Sequence, residues 1–246
     1  MKTRIMSHMV SHYPNFKGSL EFAMALVDGG ASYLEVQFPF SDPTADGPYI
    51  QEACKIALEE GFSINSGFKL IERIKRFAEI PIFLMCYANI PFTYGIKDFI
   101  RICKETGVEG LIVPDLPYDY DEGLYTTARE YDLHPIPVVA FSMKEKRLRN
   151  ILSQHFEFVY AILRKGITGI YTDIGEENIR FIKEVSSYGG KVLAGFGISS
   201  REQVELLMPH VHAVVVGSAF IKNIQAATRD KIYNTIFRFI KSLQGE

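Results

Sequence analysis

Between Glu35 and Pro48 the chain reads EVQFPFSDPTADGP, and four of these residues can handle protons or charge: Glu35, Ser41, Asp42 and Asp46. Glu35 lies near the end of the apolar run YLEVQ. Desolvation there favours its neutral, proton-bearing form, which suits an acid. Asp46 follows in a polar turn between Pro43 and Pro48. It reads as a carboxylate that stays ionised and can accept an N–H or stabilise positive charge. Two carboxyl groups in unlike surroundings divide naturally into an acid and a counter-charge. Taken singly, each has a plainer use: a strand-end Glu caps a helix or pairs with Lys, and Asp before Gly makes a turn. Asp42, inside SDP, reads as a turn or capping residue.

Glycine carries a second chemistry. KGITG (165–169), GFGISS (195–200) and GSAF (217–220) each follow an apolar run. Glycine lets a backbone N–H approach a ligand with no Cβ in the way. GIS and GSA lead into helical patterns, whose N-termini offer unpaired N–H groups and a positive dipole end. The clusters predict a phosphate site, to which Ser218 adds a hydroxyl and for which Lys222 is a weaker candidate.

Regular elements must position these groups. Strand-length apolar runs occur at 4–10, 33–37, 81–86, 109–113, 134–139, 157–162, 191–195 and 212–216. Amphipathic stretches of helical period lie between them, at 18–29, 48–60, 65–77, 96–106, 120–131, 144–153, 174–186, 199–208 and 230–243. Near-continuous apolar strands alternating with helices predict a parallel sheet buried on both faces. Eight such repeats in 246 residues match a (β/α)₈ TIM barrel spanning 1–246 as a single domain, with a doubly wound open sheet as the other candidate. In a barrel the site lies at the C-terminal ends of the strands. Glu35, Tyr87, Asp115, Tyr160, Gly195 and Gly217 fall at those ends, and 218–224 would be the short extra helix of a barrel phosphate site.

Composition narrows the function classes. The chain is 47% apolar and 23% charged with a net charge of −2, and has no basic stripe for nucleic acid or an anionic membrane. No apolar run reaches the length of a membrane span, and the start MKTRIMSHMVSHYP lacks a signal-peptide pattern, so a cytoplasmic location is expected. Cys54, Cys86 and Cys103 are odd in number and read as buried free thiols. His8 and His12 have i, i+4 spacing but lie on a strand without an acid cluster, so no metal site is expected, and the scattered His134, His155, His210 and His212 read as structural.

The stretch EVQFPFSDPTADGPYIQEA resembles the signature of the tryptophan synthase alpha chain family, E-[LI]-G-[IV]-P-F-S-D-P-x-A-D-G-P-x-I-Q. GLIVPDLP (110–117), RKGITG (164–169), AGFGIS (194–199) and VVVGSAF (214–220) match further family motifs in order, so the resemblance covers nearly the whole chain. It implies a (β/α)₈ barrel that cleaves indole-3-glycerol phosphate to indole and glyceraldehyde 3-phosphate, in an α₂β₂ assembly with a β chain and without a cofactor. On this resemblance Glu35 and Asp46 are the catalytic acids. Gly169, Gly197, Gly217 and Ser218 contact the phosphate, and Tyr87 and Tyr160 line the site. Thr168 belongs to the loop that closes over Asp46, and Phe196 joins the ligand-contacting set. Loops 42–49 and 164–172 would open for substrate and close over it.

The chain departs from the family pattern at several positions. His8 stands where an apolar residue is common, His12 and Tyr13 replace a glycine-containing lead into Pro14, and Gln37 replaces the glycine of E-[LI]-G. Leu163 replaces a serine, and Phe141 a proline. Gln37 and His12 keep open an alternative, a weakly active binding subunit that mainly activates a β chain. A sugar-phosphate epimerase or isomerase barrel would carry a different acid pair.

Overall fold

The computed structural model describes residues 3–163, 174–195, 197–226 and 231–246. All pairings in its nine-stranded sheet are parallel, in the order β5-β4-β3-β2-β1-β9-β8-β7-β6. The strands are β1 (Ile5–Val10), β2 (Tyr33–Gln37), β3 (Ile82–Met85), β4 (Val108–Ile112), β5 (His134–Ile136), β6 (Val138–Ala140), β7 (Phe158–Ile162), β8 (Lys191–Gly195) and β9 (Ala213–Val216). The two ends of this order, β5 and β6, are consecutive pieces of one run separated only by Pro137. Proline has no N–H to give a ladder, yet the Pro137 carbonyl still accepts from Tyr160 N–H at 2.9 Å. The sheet therefore curls into a nearly closed barrel. The fifth predicted strand is thus two short ones, and every later strand label is one higher than the sequence count.

Side chains alternate between two cores, as strand geometry requires. Leu34 and Val36 of β2 join the layer between strands and helices, whereas Met6, Phe83, Met85, Ile112, Phe158 and Leu193 pack together inside the barrel. The helices seal the outer layer with apolar residues at helical spacing. In α11 (Ile232–Gln244), Ile232, Ile236, Ile240 and Leu243 are buried, each contributing about 1.5–3 kcal/mol of burial.

Preceding it are α1 (Phe16–Asp28), α2 (Pro48–Glu59), α3 (Ile64–Phe77), α4 (Asn89–Tyr94), α5 (Ile96–Glu105), α6 (Leu124–Glu130), α7 (Glu145–Leu152), α8 (Glu176–Ser186), α9 (Arg201–Leu207) and α10 (Ser218–Ala226). Two differ from the sequence reading. The short α4 was not foreseen, because Pro91 and only six residues leave no periodic signal. The helix expected at 120–131 starts later, after a 3₁₀ turn and Gly123 at φ +84°, where glycine tolerates the left-handed backbone. The segment after β9 does form a helix, α10, with Ser218 in its first turn.

Candidate active site

Strand β2 carries Glu35 and Gln37 two residues apart, so both point into the barrel. The neighbouring β1 sets His8 beside Glu35 in register. A cavity of about 600 Å³, counting the space at its mouth, opens at this end of the barrel. Its polar lining includes His8, Glu35, Asp46, Tyr160 and Ser218, with Gly197 and Gly217 in the loops after β8 and β9. Ile50, Met85, Ile112, Val138, Ile162 and Val215 supply apolar walls. Apolar walls with a few convergent polar groups are the make-up of a small-molecule site.

Glu35 is 3% exposed, and its Oε2 has no hydrogen-bond partner among the described residues. Burial, and secondarily the negative charge of Asp46, push its carboxyl up to about 8. It is thus a neutral acid at neutral pH, as its apolar strand led one to expect.

Asp46 needs a correction. The sequence suggested a loose polar turn, but the side chain is only 5% exposed. Its Oδ2 accepts from Gln37 Nε2 at 2.8 Å and from the Tyr87 hydroxyl at 2.8 Å. Its backbone is tied by Gln51 Nε2 to the Asp46 carbonyl at 2.9 Å. Donors on neighbouring strands make burial of the charge tolerable. Burial raises the carboxyl to about 6, against the pull of the Gln37 and Tyr87 hydrogen bonds. Asp46 therefore stays ionised at neutral pH while Glu35 keeps its proton.

The two tyrosines take different positions. Tyr160 on β7 lines the cavity. Tyr87 stands behind Asp46: its oxygen also accepts from Ala45 N–H at 3.0 Å, and its ring stacks on Phe40. It holds the loop that presents Asp46. Asp115 accepts from Ala88 N–H at 2.9 Å at the start of α4, a structural tie. Asp42 is exposed beside Ser41. Lys222 is exposed on α10, its ammonium 6.0 Å from the Tyr49 ring.

Gly197 has φ +75°, and a Cβ at Gly217 would lie 3.2 Å from the His8 ring, so both positions favour glycine. Ser218 begins α10 beside them, leaving N-terminal helix amides at the cavity wall. Thr168, Gly169 and Phe196 lie outside the described residues.

Two lining or supporting residues were not assigned a role from sequence. His8 and Gln37 each read there as departures from the family pattern. The usable signal was the alternation that sets Gln37 on the face of Glu35. His12 does not line the cavity; it sits at φ +66° against Phe16 and Phe62.

A family model described as tryptophan synthase alpha chain matches residues 1–243. The tryptophan synthase alpha chain of Helicobacter hepaticus is 40% identical over 228 residues, covering 90% of this chain and 85% of that protein. That of Bacillus cereus is 38% identical over 213 residues, covering 86% and 83%. Among solved structures, the tryptophan synthase complex from Pyrococcus furiosus superposes with a TM-score of 0.89 at 30% identity, over 99% of this chain and 98% of that one. The Mycobacterium tuberculosis enzyme superposes with a TM-score of 0.88 at 26% identity, over 99% and 92%.

Proposed function

This chain belongs to the tryptophan synthase alpha chain family, and we propose that Glu35 and Asp46 carry out its lyase reaction in one barrel domain spanning the chain. The reaction is the retro-aldol cleavage of indole-3-glycerol phosphate to indole and glyceraldehyde 3-phosphate, a step of tryptophan biosynthesis. The observation that carries this reading is Glu35, buried with its Oε2 unpartnered among the described residues, sharing a cavity with a hydrogen-bonded Asp46 carboxylate.

The bond to be broken joins indole C3 to the glycerol chain. Indole leaves as a neutral ring only after C3 has gained a proton. Glu35 delivers that proton, and positive charge appears on the ring nitrogen. The Asp46 carboxylate accepts the ring N–H and stabilises the charge. Glu35, now a carboxylate, takes the proton from the hydroxyl on the adjacent carbon. That oxygen becomes the aldehyde, the C–C bond electrons return to the ring, and Glu35 is protonated again. No proton is gained or lost overall. Tyr160 and the apolar walls flank the indole, and the amides at Gly197, Gly217 and Ser218 suit the phosphate. Gly169, Thr168 and Phe196 join them on the strength of the family motif alone.

The partner is a tryptophan synthase β chain; a related Pyrococcus furiosus structure describes mutual activation in an a2b2 complex. Among the described residues no helix is long and apolar enough to cross a membrane, and a cytoplasmic location suits an enzyme acting on a phosphorylated metabolite. The deciding experiment is indole release from indole-3-glycerol phosphate by the purified chain, alone and with a β chain. Cleavage that rises with the β chain is expected. A folded protein that releases no indole in either condition would overturn the reading.

A further inference from the structure

We propose that His8 and Gln37 form a relay in which Gln37 fixes the Asp46 carboxylate and His8 turns a bare Nδ1 acceptor toward a hydroxyl on the middle carbon of the substrate's glycerol chain. This rests on the reading of the cavity as a site for indole-3-glycerol phosphate. Gln37 is a positioning residue, and His8 determines specificity.

Donor and acceptor accounting fixes the direction of every bond in the relay. An ionised Asp46 can only accept, so the Gln37 atom 2.8 Å from its Oδ2 is the amide nitrogen. The other amide hydrogen faces Cys54 Sγ at 3.6 Å. Gln37 Oε1 is then an acceptor, and His8 Nε2, 2.7 Å away, is the donor. A neutral imidazole has one N–H, so Nδ1 carries a free lone pair. Burial pushes His8 down to about 4, which keeps the ring neutral. His8 is 5% exposed, and its Nδ1 has no partner among the described residues. Buried acceptors without partners are uncommon in native structures and ask for an explanation.

The position of Nδ1 points to the missing donor. It faces Gly217, where an added Cβ would lie 3.2 Å from it. In the sheet β1 stands between β2 and β9. His8 therefore lies between Glu35, where the bond breaks, and the Gly217–Ser218 corner suited to phosphate. A glycerol chain running from one to the other carries its middle hydroxyl past His8. The groups facing Asp46 are Glu35 on β2, Tyr87 after β3, Cys54 on α2, Tyr160 on β7 and, through Gln37, His8 on β1. Gln37 donates to the charged form of Asp46, so its loss moves that titration upward.

Three variants separate the roles. His8→Gln keeps an amide donor for Gln37 but leaves no atom at the Nδ1 position. It should raise KM about tenfold with kcat and the acid limb of the pH profile unchanged. His8→Asn keeps an acceptor near Nδ1 but loses the donor to Gln37; it and Gln37→Leu should leave KM near wild type and shift the acid limb upward by about one pH unit. An unreactive analogue with a propyl chain in place of glycerol should bind wild type and His8→Gln equally in calorimetry. On the wild type alone, a 2-hydroxypropyl analogue should bind about tenfold more tightly than the propyl one, a comparison that needs no variant to fold. Equal affinity for the two analogues, or an unmoved acid limb in Gln37→Leu, would overturn the relay. Wild-type protein that cleaves no substrate would instead overturn the function beneath it.

Discussion

The two ends of the barrel use the same residue types to opposite effect. At the N-terminal end, histidine, tyrosine and acid are paired off. The Tyr33 hydroxyl meets His212 Nε2 at 2.8 Å, Lys191 donates to Glu157 at 2.9 Å, His134 stands 3.3 Å from the same carboxylate, and Arg4 Nε donates to the His212 carbonyl. Tyr33, Phe83 and Phe158 close the floor with ring centroids 5.1–6.2 Å apart. At the C-terminal end, Glu35 Oε2 and His8 Nδ1 are buried without partners among the described residues. A third such atom, Ser7 Oγ, falls on the other face of β1 by strand alternation. The floor satisfies its polar groups and so holds the barrel together. The mouth leaves two unsatisfied among the described residues, at a cost in stability.

The sharpest test of this contrast is Glu35→Gln, which keeps the shape but cannot transfer a proton. Turnover should fall about 10³-fold in the indole-release assay. In the wild type, activity should rise as Asp46 ionises near pH 6 and fall as Glu35 loses its proton near pH 8; the two limbs belong to the coupled pair. A flat profile, or a Gln variant of normal turnover, would remove Glu35 from the chemistry.

Next in size is Phe158→Ala on the floor. The ring is 5% exposed and touches Tyr33, Phe83, His134 and His212. Its loss should cost about 3 kcal/mol in denaturant unfolding with kcat unchanged in the protein that remains folded. A drop in kcat as large as that in Glu35→Gln would erase the distinction between the ends.

Glu35→Gln should also stabilise the fold at alkaline pH, and the sign can be worked out. The native carboxyl titrates near 8, against 4.5 for the free group. Below the lower value both states hold the proton, and the variant and wild type should differ least. As pH rises toward 8 the unfolded chain releases its proton and the native state does not, so wild-type stability is lost across that window. The variant escapes this loss, and its advantage should grow through that window and level off above pH 8. Thermal melts at pH 5 and pH 8.5 would test it; an advantage larger at pH 5 would contradict the assigned direction.

Tyr33→Phe should cost about 1 kcal/mol by removing the hydrogen bond to His212, again with unchanged turnover. The smallest effect is expected at Glu157, which is 47% exposed. Glu157→Gln should change stability by less than about 0.5 kcal/mol, and less still at high salt. A larger loss at Glu157 than at Tyr33 would mean that the floor depends on ion pairs and not on its buried rings.

Much of this architecture is local and was therefore legible in the chain. The runs at 33–37 and 157–162 are strands, and the isoleucine spacing in α11 makes a helix with one buried stripe. Glu35 in an apolar run announces desolvation before any fold is known. The same reasoning fails where a property depends on what arrives from elsewhere. Asp46 sits in a run of turn formers, and only Tyr87, 41 residues on, and Gln37, from β2, turn that stretch into a buried carboxylate site. The break at Pro137 and the short α4 likewise show no periodicity to read. His8 and Gln37 are 29 residues apart, and nothing in either residue fixes a tautomer or a direction. Sequence alone determined the alternation of apolar strands with amphipathic helices and the glycines that follow strands, because hydrophobic period and backbone freedom belong to the residues themselves; the acid pair stood out through the family motif. Tertiary structure decided which donors hold Asp46 in a buried setting and which acceptor, His8 Nδ1, is left buried without a partner among the described residues, because hydrogen-bond partners exist only once distant strands lie side by side.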